Sequence, residues 1–392
     1  MKKFYKIYKL FLSSQIRFQN PERSELLIFD KAGSDMFKNI LYFNNYSILE
    51  ARSESLRVIY FSWKILFLMM RNFHSNLFTC YLISLIKIIK PKIIITAIDN
   101  SFKFSEIAKI LYKDIFFIAV QNASRYDFDR NERLFKIGSL KEDDNKKFFL
   151  PNYYCFGDKE IEDCKKYNIN VLKFFKIGSL RLAQYLNHLK KKNIQIIHNK
   201  YDIGLISESS AGKNKLWKRS GVEEGFAKIV KFTINVCKRN KLKFTFIRKR
   251  QFNPLAAAEM KWYQNFLNKD EFNFLNNNAT QVSKEEFNSY KAIHQSSICV
   301  GTCSTLLREK LALKGKILAS NFTKLDHYDF PLKGFSFIKD PNFVDFENRV
   351  LEILKIEKNE YLKQINYEKL IEINDDNTQF DILNKNIRKI LN

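Results

Sequence analysis

At 392 residues the chain exceeds the roughly 250 to 300 residues at which a single hydrophobic core stops growing, so two domains of similar size are expected. Its 45% hydrophobic and 15% aromatic content excludes a disordered chain. The formal net charge of +25 points to an anionic partner, but the lysines are scattered, accompany abundant Asn, Ile and Phe, and come without a zinc-finger, RRM or KH pattern; this argues against nucleic acid and for a phosphate-bearing substrate or an anionic lipid surface.

The segment Met1 to Leu12 alternates lysines with apolar residues and lacks the apolar run and cleavage site of a signal peptide, so a cytoplasmic protein is expected. A strand is predicted over Leu26 to Phe29. The greasiest stretches follow, Val58 to Met70 and Leu77 to Ile89. Lys64 interrupts the first, and Arg71, His74 and Lys87 bracket or enter the second, so neither offers the about 20 apolar residues of a membrane span. They read as amphipathic helices over Ser62 to Phe73 and Leu77 to Lys90. Such helices either face a core or rest, apolar side down, on the inner face of the cytoplasmic membrane.

Strands are then predicted over Ile93 to Ile98, Ile115 to Val120, Tyr153 to Phe156 and Phe174 to Ile177, with a helix over Phe104 to Tyr112. A lysine-rich helical stretch, Leu180 to Lys192, closes this first series, and a domain boundary is expected near residues 185 to 200. The second series has strands over Ile203 to Ile206, Phe244 to Ile247, Ile298 to Val300 and Ile317 to Ala319. Helices over Glu223 to Asn240, Lys284 to His294 and Thr305 to Lys314 separate them, and a long polar helical region starts at Phe346. Short apolar runs alternating with helical patterns mark an α/β protein, here two Rossmann-type parallel-sheet domains facing a central cleft, 1–190 and 191–392. An exact hexapeptide match, Phe135 to Leu140 and Phe175 to Leu180, has dissimilar flanks and is a chance product of biased composition.

Ligands of open α/β sheets bind beyond the carboxyl ends of the strands. In the first half those tips are Asp30, Asp99-Asn100-Ser101, Gln121-Asn122-Ala123-Ser124-Arg125 and Gly178-Ser179; in the second they are Ser207-Glu208-Ser209-Ser210, Arg248-Lys249-Arg250 and Gly301-Thr302-Cys303-Ser304-Thr305. The last joins a buried strand to a helix N-terminus, which presents backbone N–H groups and partial positive charge to a phosphate. Ser304 and Thr305 add hydroxyls. One turn on, Arg308 can pair with phosphate and Glu309 can accept from a ribose diol, although the same residues also suit an ordinary capped turn.

The run Cys-Val-Gly-Thr-Cys-Ser-Thr-Leu-Leu-Arg-Glu-Lys-Leu-Ala-Leu-Lys-Gly-Lys-Ile-Leu, within Ser297 to Asn321, resembles the donor-site signature of GT-B enzymes of surface glycans. Ile98-Asp99-Asn100-Ser101-Phe102, Ile118-Ala119-Val120-Gln121-Asn122, Phe156-Gly157-Asp158 and Ile177-Gly178-Ser179-Leu180-Arg181 resemble the first domain of bacterial surface carbohydrate (O-antigen or capsule type) biosynthesis proteins. Together the motifs reach from about residue 95 to 320. Ala123 departs from the Gln-Asn-Gly or Gln-His-Gly of related proteins, which weakens a close backbone approach to ligand there.

The resemblance implies a metal-independent glycosyltransferase that moves a sugar from a nucleotide-activated donor to a growing surface polysaccharide or lipid-linked acceptor, with no cofactor. The second domain would hold the donor through Ser207, Glu208, Ser209, Arg248, Lys249, Gly301, Thr302, Ser304, Thr305, Arg308 and Glu309, stabilising the departing phosphate. The first would hold the acceptor beside Asn100, Gln121, Asn122, Arg125, Gly178 and Ser179. If the enzyme inverts, Asp99, and after it Asp30, is the expected general base. A nucleotide-sugar epimerase of the same architecture and a non-catalytic scaffold of a glycan assembly complex are the alternatives.

Other signals carry less. Six cysteines (Cys80, Cys155, Cys164, Cys237, Cys299, Cys303) form no Cys-x-x-Cys pair and read as buried thiols. Asp127-Phe128-Asp129 matches the metal-binding Asp-x-Asp of GT-A enzymes but reads as a surface loop. Ser210-Ala211-Gly212-Lys213 fails as a P-loop, because Asn214 replaces the metal-binding hydroxyl. His74, His188, His198, His294 and His327 have no partner at triad or metal spacing.

Overall fold

The computed structural model describes residues 14–38, 46–50, 57–71, 76–125, 148–209, 221–249, 254–281, 287–372 and 379–392. Asp127 to Asp129, Ser210 to Lys213, His74, Arg250 and the first copy of the hexapeptide lie outside them. Among the described residues thirteen strands run in chain order: β1 (Gln15–Arg17), β2 (Leu26–Phe29), β3 (Tyr46–Leu49), β4 (Val58–Tyr60), β5 (Ile93–Thr96), β6 (Phe116–Val120), β7 (Phe149–Cys155), β8 (Asn170–Lys176), β9 (Tyr201–Ile206), β10 (Phe244–Ile247), β11 (Ser296–Gly301), β12 (Lys316–Asn321) and β13 (Phe337–Lys339). They build a six-stranded sheet in the order β3-β2-β5-β6-β7-β8, a five-stranded sheet in the order β10-β9-β11-β12-β13, and a small β1-β4 pair. Every pairing is parallel.

A parallel sheet is covered on both faces, so its inner strands read as unbroken apolar runs. Alternate residues of β2 divide accordingly. Leu27 and Phe29 join one core cluster, with the helices Leu77–Ile89 and Phe102–Leu111; Leu26 and Ile28 join another, with the helices Leu180–Lys192 and Gln379–Leu391. Period-two alternation thus survives inside a run that looks uniformly hydrophobic. The second sheet has a single large core, in which Ile203, Val300 and Leu318 pack with the helices Val222–Arg239 and Phe343–Lys355.

The last helix, grouped by sequence with the second half, packs on the first sheet through Phe380, Leu383 and Ile387. On the way the chain passes two strand tips of the first domain: the Glu372 N–H donates to the Phe156 carbonyl, and a Cβ on Gly178, which has φ of +69°, would stand 2.6 Å from the Glu372 carbonyl oxygen. Glycine at 178 therefore makes room for the crossing segment.

Candidate functional site

The helix Thr305–Ala312 starts at the carboxyl end of β11 and meets the first domain side on. Residues 305, 308 and 309 share one helical face, and each contacts the opposite domain. Thr305 Oγ1 accepts the Ser124 N–H (2.9 Å). Arg308 donates from both Nη atoms to Glu160 (2.7 and 2.9 Å) and also to the Leu370 carbonyl, lying 5.0 Å over the Phe156 ring. Glu309 Oε1 accepts from Ser179 Oγ (2.5 Å) and Tyr290 OH (2.9 Å). Arg308 and Glu160 are both buried. This face docks the two domains, so the side chains of Arg308 and Glu309, read from sequence as ligand groups, are engaged by protein.

Several first-domain candidates are likewise engaged. Gln121 Oε1 accepts the Phe156 N–H (2.7 Å), while its Nε2 donates to Glu160 (3.0 Å) and the Ala123 carbonyl (3.1 Å). Asp99 is held by the Arg125 guanidinium and accepts from Tyr153 OH (3.0 Å). Asn122 accepts from the same Arg125 (3.1 Å). The cavity lined by Asp99, Asn100, Arg125 and Tyr153 measures about 20 Å³, room for a water and far too small for a sugar ring. Asp30 follows β2 directly with φ of +81°, a region that non-glycine residues seldom occupy, and its Oδ1 accepts the Ala32 N–H (3.0 Å).

What remains directed at the tips of the second sheet is a set of hydroxyl and N–H groups. Parallel β9 and β11 are neighbours, so their carboxyl ends lie side by side. Glu208, just past β9, accepts the Cys303 N–H (3.2 Å) and ties the two tips together. Burial raises the Glu208 pKa, and Lys249 offsets part of that rise. Ser209 and Thr302 are buried there, and Ser124 is buried across the cleft; none of the three hydroxyls has a hydrogen-bond partner among the described residues. A buried hydroxyl without a partner is costly enough that most find one. Ser304 caps the helix by accepting the Leu306 N–H (3.3 Å), whereas the N–H groups of Ser304 and Thr305 donate to no acceptor among the described residues. Gly301 is buried at the foot of the turn. Ser207 faces inward, to Glu259 and Tyr263. The Arg248 and Lys249 N–H groups bind Thr280 and Glu259, which fixes that tip beside β9. Sequence reasoning missed Glu160 and Tyr153, whose partners lie too far along the chain to be seen.

The docking face also sets a pH dependence. Burial raises the Glu309 pKa from 4.5 to about 7, against hydrogen bonds from Ser179 and Tyr290 and the charges of Arg181 and Arg308. Its contribution is full below 4.5 and is lost as pH rises through 7. His294, hydrogen-bonded across the interface to Tyr185, is lowered from 6.5 to about 4 by burial, then by His198, Lys310 and Lys358; its contribution is full above 6.5 and is lost as pH falls through 4. Stability should therefore peak between these limits. Glu309→Gln should flatten the alkaline limb of a melting-temperature profile and leave the acid limb in place, and an unchanged alkaline limb would refute the assignment.

Among the described residues no His, Cys, Asp or Glu cluster suited to a metal occurs, and no helix is long and apolar enough to cross a membrane. No protein-family model and no curated protein matches the chain. Among solved structures it is similar to the UDP-GlcNAc 2-epimerase of Methanocaldococcus jannaschii in complex with UDP-GlcNAc and UDP, at 12% identity and a TM-score of 0.51, over 93% of this chain and 99% of that one. The UDP-GlcNAc 2-epimerase of Neisseria meningitidis bound to UDP-GlcNAc gives 14% and 0.49, over 93% and 99%. The wall teichoic acid polymerase TagF gives 10% and 0.49, over 93% and 88%. With two parallel sheets covered by helices, docked through strand-end turns and joined again by a returning C-terminal helix, the chain has a GT-B-like fold of two Rossmann-type domains.

Proposed function

We propose that the protein is a glycosyltransferase that takes a sugar from a nucleotide-activated donor, bound at the tips of β9 and β11, and passes it to an acceptor on the first domain. The observation that carries this reading is the group of buried hydroxyls, Ser209, Thr302 and Ser124, that find no partner among the described residues, around the open N-terminus of the Thr305–Ala312 helix. A diphosphate would supply the acceptors those groups lack, and the helix dipole would favour its negative charge. In transfer, the bond from the anomeric carbon to the diphosphate oxygen breaks. The same N–H and hydroxyl groups then meet the charge that develops on that oxygen, while a first-domain carboxylate takes the proton of the attacking hydroxyl. On this reading the donor contact is made by Ser304, Thr302 and Ser209, with Arg248 and Lys249 nearby, and Arg308 and Glu309 hold the domains together. A growing surface polysaccharide or lipid-linked glycan is the acceptor that the sequence motifs imply.

The test separates ligand binding from folding. Aspartate caps a helix as well as serine, so Ser304→Asp should melt like the parent while repelling the diphosphate, weakening UDP, CDP or GDP binding by well over tenfold. Thr302→Val should do two opposite things. It removes a buried hydroxyl without a partner and so stabilises the protein by about 1 kcal/mol, yet it weakens the nucleotide by a similar amount. Near-parental nucleotide binding by a folded Ser304→Asp protein would take this turn out of the donor site. An epimerase of the same architecture is the second reading, since the M. jannaschii protein of similar fold is one. Turnover of a nucleotide sugar without any acceptor would favour it.

A further inference from the structure

The helix Trp63–Arg71 buries only Ile65 fully, and its outward face is apolar. Trp63 is 87% exposed and Met70 72%, with Phe67 between them at helical spacing. The face continues onto its neighbours. Phe18, 80% exposed, packs edge-on against Phe61 at 5.9 Å, and Leu77 projects from the start of the next helix. A contiguous apolar patch rimmed by charge is unusual on a monomer and marks a docking surface.

The rim says what docks there. Residues 14–20 and 57–71 carry four exposed basic side chains, Arg17, Arg57, Lys64 and Arg71, and no carboxylate. Lys64 and Arg71 follow Trp63 and Met70 on the same helix, so cations flank the apolar stripe. An exposed tryptophan among phenylalanine and methionine, edged by cations, has the composition of a helix lying in the headgroup region of a bilayer. A neutral or basic protein partner would leave the basic rim without counter-charges, and the exposed tryptophan at the edge of the stripe suits a headgroup layer.

Position in the fold adds a second argument. Thr79, two residues into the helix Leu77–Ile89, donates to Glu106 (3.0 Å) and accepts from Lys103 (2.6 Å), both on the helix that follows the carboxyl end of β5. Tyr81 OH donates to the Tyr60 carbonyl (3.2 Å) and accepts the Tyr60 N–H (2.8 Å), fixing β4 and the Trp63 helix at the same end. The patch therefore lies on the cleft side of the first domain. We propose that this face docks on an anionic lipid bilayer through Trp63, Phe67 and Met70, bringing the first-domain side of the cleft to the headgroups. The proposal stands whatever reaction the cleft performs.

Flotation of the intact protein with vesicles of phosphatidylcholine, alone or mixed with phosphatidylglycerol, tests it. Binding to the mixed vesicles, weakened by salt and accompanied by a blue shift of tryptophan emission that Trp63→Phe abolishes, is the expected result. The variant Trp63→Ser/Phe67→Ser/Met70→Ser should melt like the parent, because these side chains are exposed, and should lose at least about tenfold in vesicle partition. Lys64→Glu/Arg71→Glu should lose binding at low salt. No binding of the parent to mixed vesicles, equal binding by the triple variant, or a concentration-dependent dimer that the triple variant abolishes would overturn the proposal, the last by giving the face to a second copy of the chain.

Discussion

Arg308→Ala should lower the melting temperature by about 10 °C, the largest stability effect expected of any single polar substitution here. The guanidinium is almost entirely shielded and is the main counter-charge of Glu160, itself fully buried. Removing one partner of such a pair typically costs about 3 to 5 kcal/mol, because the surviving charge stays desolvated, and each kcal/mol shifts the midpoint by about 2 to 4 °C in domains of this size. Glu160 would keep neutral donors such as the Gln121 amide and the Gly157 N–H (3.0 and 3.2 Å). Neutralising the orphan should restore much of the loss, so Arg308→Met/Glu160→Gln should melt well above Arg308→Ala. A single variant melting within about 2 °C of the parent would show that the pair does not hold the domains together.

The same residues explain what sequence could and could not reveal. The interior strands were legible because burial on both faces leaves only apolar residues, as in Leu26 to Phe29 and Ile93 to Ile95. Edge and accessory strands were not: β3 is partly exposed, and β1, β4 and β13 are three residues each, too short for a pattern. The helix Asp158–Lys166 is polar throughout its sequence, yet Glu160 and Asp163 are buried, each paired with a cation. Pattern cannot announce a buried charge whose partner lies 148 residues away. Sequence places Arg308 and Glu309 at the mouth of the β11 turn as donor-site groups, and the structure engages both side chains with protein. Helical phase fixes which residues share a face, but not whether that face meets a ligand or the other domain.

On the proposed transferase reading, Asp30→Asn should reduce transfer by about a thousandfold while leaving the fold intact, whereas Asp99→Asn should do the reverse. A general base contributes about 10² to 10⁴ in rate and must be able to accept a proton from the attacking hydroxyl. Asp99 is poorly placed for this, since Arg125 and Tyr153 occupy both its oxygens and the adjoining cavity admits no sugar. Its substitution should cost stability and less than tenfold in rate, as expected for half of a sheltered ion pair. Asp30 stands at the end of β2, next to β5 in the sheet, and the turn beyond it is pressed against the tips of β5 and β6: a Cβ on Gly33, which has φ of +77°, would come within 2.9 Å of the Ala97 Cβ. The left-handed backbone at Asp30 is itself a strained position of the kind that gathers at functional sites. Asparagine tolerates that conformation as well as aspartate does, so Asp30→Asn deletes the charge and the basicity with little change of shape. Transfer measured with a nucleotide sugar and a glycan acceptor, beside melting curves for both variants, decides the matter. An active Asp30→Asn protein, or a well-folded Asp99→Asn protein that has lost a thousandfold, would return the role to Asp99 and require Arg125 to swing away when the acceptor binds.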